Sequence, residues 1–437
     1  MRREAEIPGR EVRSSPIARH SSPRFAVLPP LSLYIHIPWC VRKCPYCDFN
    51  SHEARGPIPE QRYIDALVCD LESALPLVWG RPVQSVFFGG GTPSLFSAAG
   101  IDAILSAVRA RVLLASDAEI TLEANPGTFE ADKFRQFRAA GINRLSIGIQ
   151  SFNPNRLKAL GRIHDDKEAR AAIEIAREYF GNFNLDIMYA LPGQSVADAV
   201  ADVESAIAYS PPHLSAYHLT IEPNTYFHRY PPQVPDDDTA ANMQMEIEAL
   251  LAADGYEHYE TSAFARRDNG AQASGREEIL PFTLHPSPFT ALCRHNLNYW
   301  SFGDYLGIGA GAHSKLSFAD RITRQMRCKQ PAQYLEAAAA GDAIQEQHEV
   351  GADEIGFEFM MNALRLNHGF PATLFEERCG VPLTLVLKPL EQAETRGLLV
   401  RDHQTIAPTP LGQRFLNDLL QLFLVESPSA GKRSFPS

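Results

Sequence analysis

Six short apolar runs, separated by longer stretches with helical spacing, constrain this chain more than any other feature. The runs fall at 33–37, 85–88, 119–123, 144–149, 184–189 and 214–219. Between them, apolar side chains recur at helical intervals, as at Tyr63, Leu67, Leu71 and Leu75, or Ala171, Ile175 and Tyr179. Runs of four to six residues are long enough for a strand and too short for a helix. Regular alternation of the two implies parallel strands joined by right-handed crossovers. The expected fold is therefore α/β, a partial (β/α)6-type barrel or open sheet with its core over 31–230.

The remainder reads differently. Residues 231–238 are rich in Pro and Asp and form a loop before a helix at 242–253, within an extension of the barrel over 231–345. Residues 266–292 are polar, contain Pro and lack periodicity, as expected of a surface insertion. After 351 the period is helical again through Phe357, Met360, Met361 and Leu364. A helix near 383–395, a hairpin at 397–407 and a last helix at 409–423 then suggest a mostly helical, winged-helix-like domain over 346–425. Residues 1–30 carry Arg, Ser and Pro without a period and read as a disordered leader, and 426–437 as a tail; Glu4, Glu6 and Glu11 argue against an organelle transit peptide.

Charge and hydropathy narrow the function classes. Asp and Glu number 52 against 41 Lys and Arg, a formal charge of −11. Such a surface repels phosphate backbones, and 351–423 holds no cluster of basic residues, so a DNA-binding regulator built on the winged-helix-like domain is disfavoured. No apolar run approaches the roughly 18 to 20 residues a membrane span needs. With no apolar signal sequence ahead of its seven cysteines, the chain reads as a cytoplasmic protein with reduced thiols.

Three of those cysteines, Cys40, Cys44 and Cys47, form a C-x3-C-x2-C triplet directly after the first expected strand. Three thiolates so close can hold three irons of a [4Fe–4S] cube and leave the fourth iron open to an outside ligand. The alternative is a zinc knot completed by His36 or His52, although structural zinc favours paired C-x2-C elements and a closed shell of four. The second strand runs straight into Gly89, Gly90 and Gly91, where a backbone can approach a ligand closely or simply turn into a helix. Glu123, Gln150 and Asp186 are polar residues at the carboxyl ends of apolar strands, where barrel ligands sit and where rim solvation is the plain alternative.

Longer matches carry a resemblance. Tyr34-Ile-His-Ile-Pro-Trp-Cys40, Gly89-Gly-Gly-Thr-Pro-Ser94, Leu122-Glu-Ala-Asn-Pro-Gly127, Ser146-Ile-Gly-Ile-Gln-Ser-Phe152, Leu160-Gly-Arg-Ile-His164, Asp186-Ile-Met-Tyr-Ala-Leu-Pro-Gly-Gln194 and Leu219-Thr-Ile-Glu-Pro-Asn-Thr225 occur in order. They resemble the oxygen-independent coproporphyrinogen III oxidase group of the radical S-adenosylmethionine superfamily. That resemblance implies a [4Fe–4S] cluster on Cys40, Cys44 and Cys47 whose open iron is chelated by S-adenosylmethionine. It further implies cofactor contacts from Gly90, Gly91 and Thr92, ribose and adenosyl contacts from Glu123, Gln150 and Asp186, a carboxylate contact from Arg162, and Tyr34 and Tyr46 flanking the site.

Within the group, the oxidases carry a further cysteine two residues after the third, where this chain has Phe49. Phe49, with the H-N-x-x-Y-W signature at 295–300, resembles instead the haem-chaperone branch. The branch implies haem b as cargo and acceptor haemoproteins, respiratory enzymes foremost, as partners, with peripheral contact where acceptors are membrane-bound and with catalysis absent or subsidiary. His295, Tyr299 and Trp300 offer a ligand beside an aromatic face; packing of a core histidine against aromatic rings is the competing reading, and Cys293 and His313 are competing ligands. The rival function is radical decarboxylation of two propionates of coproporphyrinogen III.

Overall fold

The structure, a computed structural model, describes residues 23–128, 130–266 and 291–424. Most of the expected leader, nearly all of the expected insertion at 266–292 and the expected tail lie outside the described residues.

A twelve-stranded sheet forms the body. Its first six strands coincide with the six apolar runs: β1 (Leu31–Ile37), β2 (Pro82–Gly90), β3 (Leu113–Ala124), β4 (Arg144–Gln150), β5 (Phe183–Tyr189) and β6 (His213–His218). Each pairs in parallel with the next. Strands buried on both faces read as continuous apolar runs, and β1, with six of seven residues buried, shows the pattern. Helices α1 (Glu60–Val78), α2 (Ala98–Arg111), α3 (Ala131–Ala140), α4 (Asp166–Tyr179) and α5 (Val196–Ile207) make the crossovers. Helix α1 buries Tyr63, Leu67 and Leu71 as its period predicts. The capping boxes Asp165/Glu168 and Ser195/Asp198 fix the starts of α4 and α5.

The sheet does not end there. After helix α6 (Asp237–Ala253), β7 (Tyr256–Glu260) and β8 (Ala263–Arg266) extend the β6 edge antiparallel. On the other side β9 (Asp304–Ile308) lies parallel to β1, so seven strands run in parallel where six were expected. Strands β10 (His313–Ser317), β11 (Ile322–Arg327) and β12 (Ile344–Glu349) continue outward antiparallel. The strand order is linear, β12 at one edge and β7 at the other, so the barrel is partial and open.

The C-terminal domain is mostly helical, with a small sheet of Phe370–Pro371, Leu399–Arg401 and Thr405–Pro408, and a separate core around Phe359, Phe370, Phe375 and Leu390. Residues 23–30, within the expected leader, have fixed contacts: the Arg24 N–H donates to Gly380 O at 2.8 Å, and Phe25 packs on the C-terminal core. A buried polar knot joins the parts. Asp304 accepts from Arg81 Nη2 at 2.8 Å and Lys315 Nζ at 3.0 Å, while Lys315 Nζ also donates to Phe302 O at 2.9 Å.

Candidate functional site

The carboxyl ends of the parallel strands open into one cavity of about 640 Å3. Cys40, Cys44, Cys47, Tyr34, Tyr46, Gly90, Gly91, Thr92, Glu123, Gln150, Arg162 and Asp186 all line it, and so do His295, Tyr299 and Trp300. The cluster cysteines, the cofactor residues and the H-N-x-x-Y-W residues therefore face a single space, while Cys293 and His313, the competing haem ligands, lie outside it. That volume is in the range of pockets for one drug-sized ligand, roughly 300–1,000 Å3.

The cysteine loop leaves β1 through a two-residue strand, Trp39–Cys40, held in parallel against His52–Glu53. The Cys47 N–H donates to Cys44 O at 3.1 Å, and Cys47 Sγ lies 3.5 Å from Ser51 Oγ. Burial pushes the Cys40 thiol up to about 11 and raises that of Cys47, so loading a metal centre there must displace protons. Neither histidine proposed for a zinc knot lines this cavity. His36 is fully used: Nε2 donates to Asn50 O at 2.9 Å and Nδ1 accepts from the Tyr34 hydroxyl at 3.1 Å. Among the described residues no three His, Cys, Asp or Glu side chains converge tightly enough to enclose a single ion. A cube that takes one thiolate per iron fits three separated sulfurs lining a roomy cavity better than a closed zinc shell does.

Two of the three glycines at the end of β2 are required, each by a different neighbour. A Cβ on Gly90 would lie 2.5 Å from the His36 ring, and φ there is +115°. One on Gly91 would stand 2.5 Å from the Trp39 carbonyl oxygen, beneath the cysteine loop. The glycines thus let β2 pass directly under the loop and bring its amides to the cavity. The Gly90 N–H donates to Glu123 Oε2 at 3.1 Å, and the Thr92 hydroxyl accepts from Asn125 Nδ2 at 2.9 Å.

Across the cavity, Arg162 is fixed from three sides. Its Nη2 donates to Gly148 O at 2.6 Å and to Asn125 Oδ1, and its Nη1 reaches Cys44 Sγ at 3.7 Å. Gln150 ends β4 at φ +67°, a left-handed turn at a register break that aims the residue at the cavity. Burial, then the charge of Asp186, pushes the Glu123 carboxyl up to about 8; burial also raises Asp186 to about 6 despite hydrogen bonds from Asn184 and Ser146. Of the two carboxyls, Glu123 is thus the one held protonated at neutral pH, beside an Asp186 that still carries charge.

Helix α7 (Arg294–Trp300) closes the floor. Glu119 on β3 holds its start, accepting from the backbone N–H of His295 and of Arg294, each at 3.1 Å. His295 is buried between the rings of Phe87 and Tyr299, at centroid distances of 4.9 and 5.1 Å. Its Nδ1 lies 2.9 Å from Ser85 Oγ, whose own proton goes to Ser32, so Nδ1 carries the hydrogen; Nε2 is sealed from solvent and unpartnered. Cys293 is buried as well, its Sγ 3.7 Å from Glu119. Trp300 is half-buried, with the Arg365 guanidinium 4.9 Å above its ring.

Two residues of the site were not foreseen. Arg144, fully buried at the head of β4 and facing the charges of Glu119 and Asp186, lines the floor. A cation opening an otherwise apolar strand was its signal. Asn125, which links Thr92 to Arg162, left none beyond its place in the third strand-end motif.

Comparison with known proteins agrees with this arrangement. Residues 34–206 match the radical SAM superfamily and residues 350–415 the HemN C-terminal domain. The solved structure described as coproporphyrinogen III oxidase (HemN) from Escherichia coli, a radical SAM enzyme, superimposes with a TM-score of 0.74 at 26% identity, covering 91% of this chain and 90% of that one. The chain is thus a radical SAM protein of the HemN-like class. Its curated relatives are more specific: it is 46% identical to the protein named heme chaperone HemW of Escherichia coli, over 91% of this chain and 99% of that one. It is 45% identical to the HemW of Haemophilus influenzae with the same coverage. The chain belongs to the HemW family.

Proposed function

We propose that this protein is a haem chaperone. In this reading it holds a [4Fe–4S] cluster and S-adenosylmethionine in the strand-end cavity and delivers haem b to acceptor haemoproteins, respiratory enzymes among them, from the cytoplasm. The observation that carries it is the end-to-end identity of 46% with a named heme chaperone, against 26% with the oxidase HemN. Phe49, in place of the oxidases' further cysteine, agrees. Among the described residues no helix is long and apolar enough to cross a membrane, so acceptors in a bilayer would be met from its surface.

Cys40, Cys44 and Cys47 would hold the cluster, which when bound offers an iron with an open coordination position. Gly90, Gly91 and Thr92 present backbone and hydroxyl groups to the amino-acid end of the cofactor. Arg162, already aligned by Gly148 and Asn125, offers its fork to the carboxylate. Glu123, Gln150 and Asp186 face the ribose and adenosyl part, and the neutral Glu123 carboxyl can donate a hydrogen bond there. Tyr34 and Tyr46 wall the cluster off from water, burial raising both phenols well above their ordinary range.

The test is a pair of assays on anaerobically reconstituted protein. Hemin-loaded protein should pass its haem to an apo-haemoprotein. Coproporphyrinogen III given with S-adenosylmethionine and a reductant should be left unchanged; protoporphyrinogen formation at an enzymatic rate would reverse the assignment.

A further inference from the structure

Beside the strand-end cavity lies a second one of about 350 Å3, between the cysteine loop and the start of β10. Phe49, Asn50, Tyr299, Tyr305, Gly311 and His313 line it, and it shares Tyr34, Asp48, Phe49, Gly90, Glu123 and Tyr299 with the first. Its lining offers two things a porphyrin requires, a nitrogen ligand and an aromatic face, beside the acids Asp48 and Glu123; the cations Arg324 and Lys329 act on His313 from outside the lining. Tyr299 and Tyr305 stack at 4.2 Å with their planes 27° apart, and Arg324 Nη1 pins the Tyr305 hydroxyl at 2.6 Å. Phe49 is 60% exposed at the junction of the two cavities, so its ring is available to a ligand there. His313 is exposed and, among the described residues, makes no side-chain hydrogen bond that would occupy its ring. Partial desolvation, then the Lys329 and Arg324 charges, lowers its pKa, which keeps the imidazole neutral and able to bind metal. Arg324 is engaged by Glu358 at 2.7 Å, whereas Lys329 is exposed and close enough for its charge to act on His313.

We propose that haem is carried at the mouth of this second cavity, its iron bound by the His313 imidazole, its macrocycle against Phe49 and the Tyr299–Tyr305 stack, and a propionate near Lys329. The proposal rests on the haem-chaperone reading and gives that reading its site. His295 is the less reachable ligand: its ring borders the larger cavity, but its free nitrogen is buried, with the Phe87 and Tyr299 rings packed against the imidazole. A cargo that must leave needs a reachable ligand. A cavity near the lower end of the roughly 300–1,000 Å3 that encloses drug-sized ligands would leave an edge of the porphyrin outside, available to an acceptor.

The test is hemin titration of the full-length, cluster-loaded protein, followed by the Soret band and the EPR spectrum of the bound iron. His313→Ala should weaken binding by at least about tenfold and change the ligand signature, with imidazole in the buffer restoring it. Lys329→Gln should weaken binding by a smaller factor with the signature intact, and His295→Ala should leave the signature unchanged. Retained cluster absorption and far-UV CD would show that each variant is folded. An unchanged signature in His313→Ala, or its loss in His295→Ala alone, would overturn the site while leaving haem binding in place. Failure of the wild-type protein to bind hemin at all would overturn the chaperone reading itself.

Discussion

Glu123→Gln should remove a pH dependence of stability that the cofactor-free protein must otherwise show. The Glu123 carboxyl is half-buried in the cavity wall and raised from 4.5 to about 8, by desolvation first and by Asp186 second, with the Gly90 N–H opposing. A rise of about 3.5 in pKa corresponds to about 5 kcal/mol at 1.36 kcal/mol for each tenfold change in proton affinity. Because the native state keeps a proton that the unfolded chain gives up, this contribution is fully present below pH 4.5. It declines as pH rises, by about 1.4 kcal/mol per pH unit, until the native carboxyl itself ionises near pH 8. Glutamine cannot ionise and can still accept the Gly90 hydrogen bond. The stability of the variant relative to wild type should therefore grow from near zero at pH 4.5 to about 5 kcal/mol above pH 8. Urea unfolding of both proteins, without cofactor, at pH 5 to 9 measures the difference directly. Curves that stay parallel over that range would show that Glu123 is ionised in the native state and that the cavity wall does not do what its burial implies.

Replacing Cys40, Cys44 and Cys47 together by Ala should abolish the broad visible absorption and the bound iron and sulfide; stoichiometric iron in that variant would mean that the ligands lie elsewhere. Arg162→Lys should weaken S-adenosylmethionine binding about tenfold or more by calorimetry, since an ammonium cannot reproduce the fork that meets Gly148, Asn125 and a carboxylate at once. Gly91→Ala puts a methyl 2.5 Å from the Trp39 carbonyl oxygen and should destabilise the protein by about 1–3 kcal/mol, read as a lower urea midpoint, with reduced cluster content.

The parallel core was legible because its strands are buried on both faces, so the apolar runs at 33–37 or 144–149 carry the signal without help from tertiary context. The sheet's outer strands were not, because edge strands need little apolar content. Strand β12, Ile344–Glu349, is exposed at every position, with Glu, Gln and His along it, and nothing in its residue types marks it as β. Strand β9 was hidden for another reason: Asp304 heads it, and an acidic residue followed by Tyr305-Leu-Gly-Ile reads as a turn until Lys315 and Arg81 are seen to neutralise it.

For the site, motif spacing carried the cysteines, the glycines and the strand-end carboxyls, since each is tied to the end of a strand whose position the hydrophobic pattern already sets. What spacing cannot carry is the environment of a single side chain. His295 and His313 are eighteen positions apart and chemically identical in sequence. The first is the second residue of a helix whose start Glu119 pins against the sheet, so its ring packs on Phe87 and Tyr299 and its free nitrogen is buried. The second opens a strand beside the cysteine loop, where nothing among the described residues bonds its ring and partial desolvation, then the Lys329 and Arg324 charges, lowers its pKa. Availability to a metal depends on those contacts and not on residue type. The histidine within the more distinctive motif is therefore the less accessible of the two, and the one outside it is the better ligand.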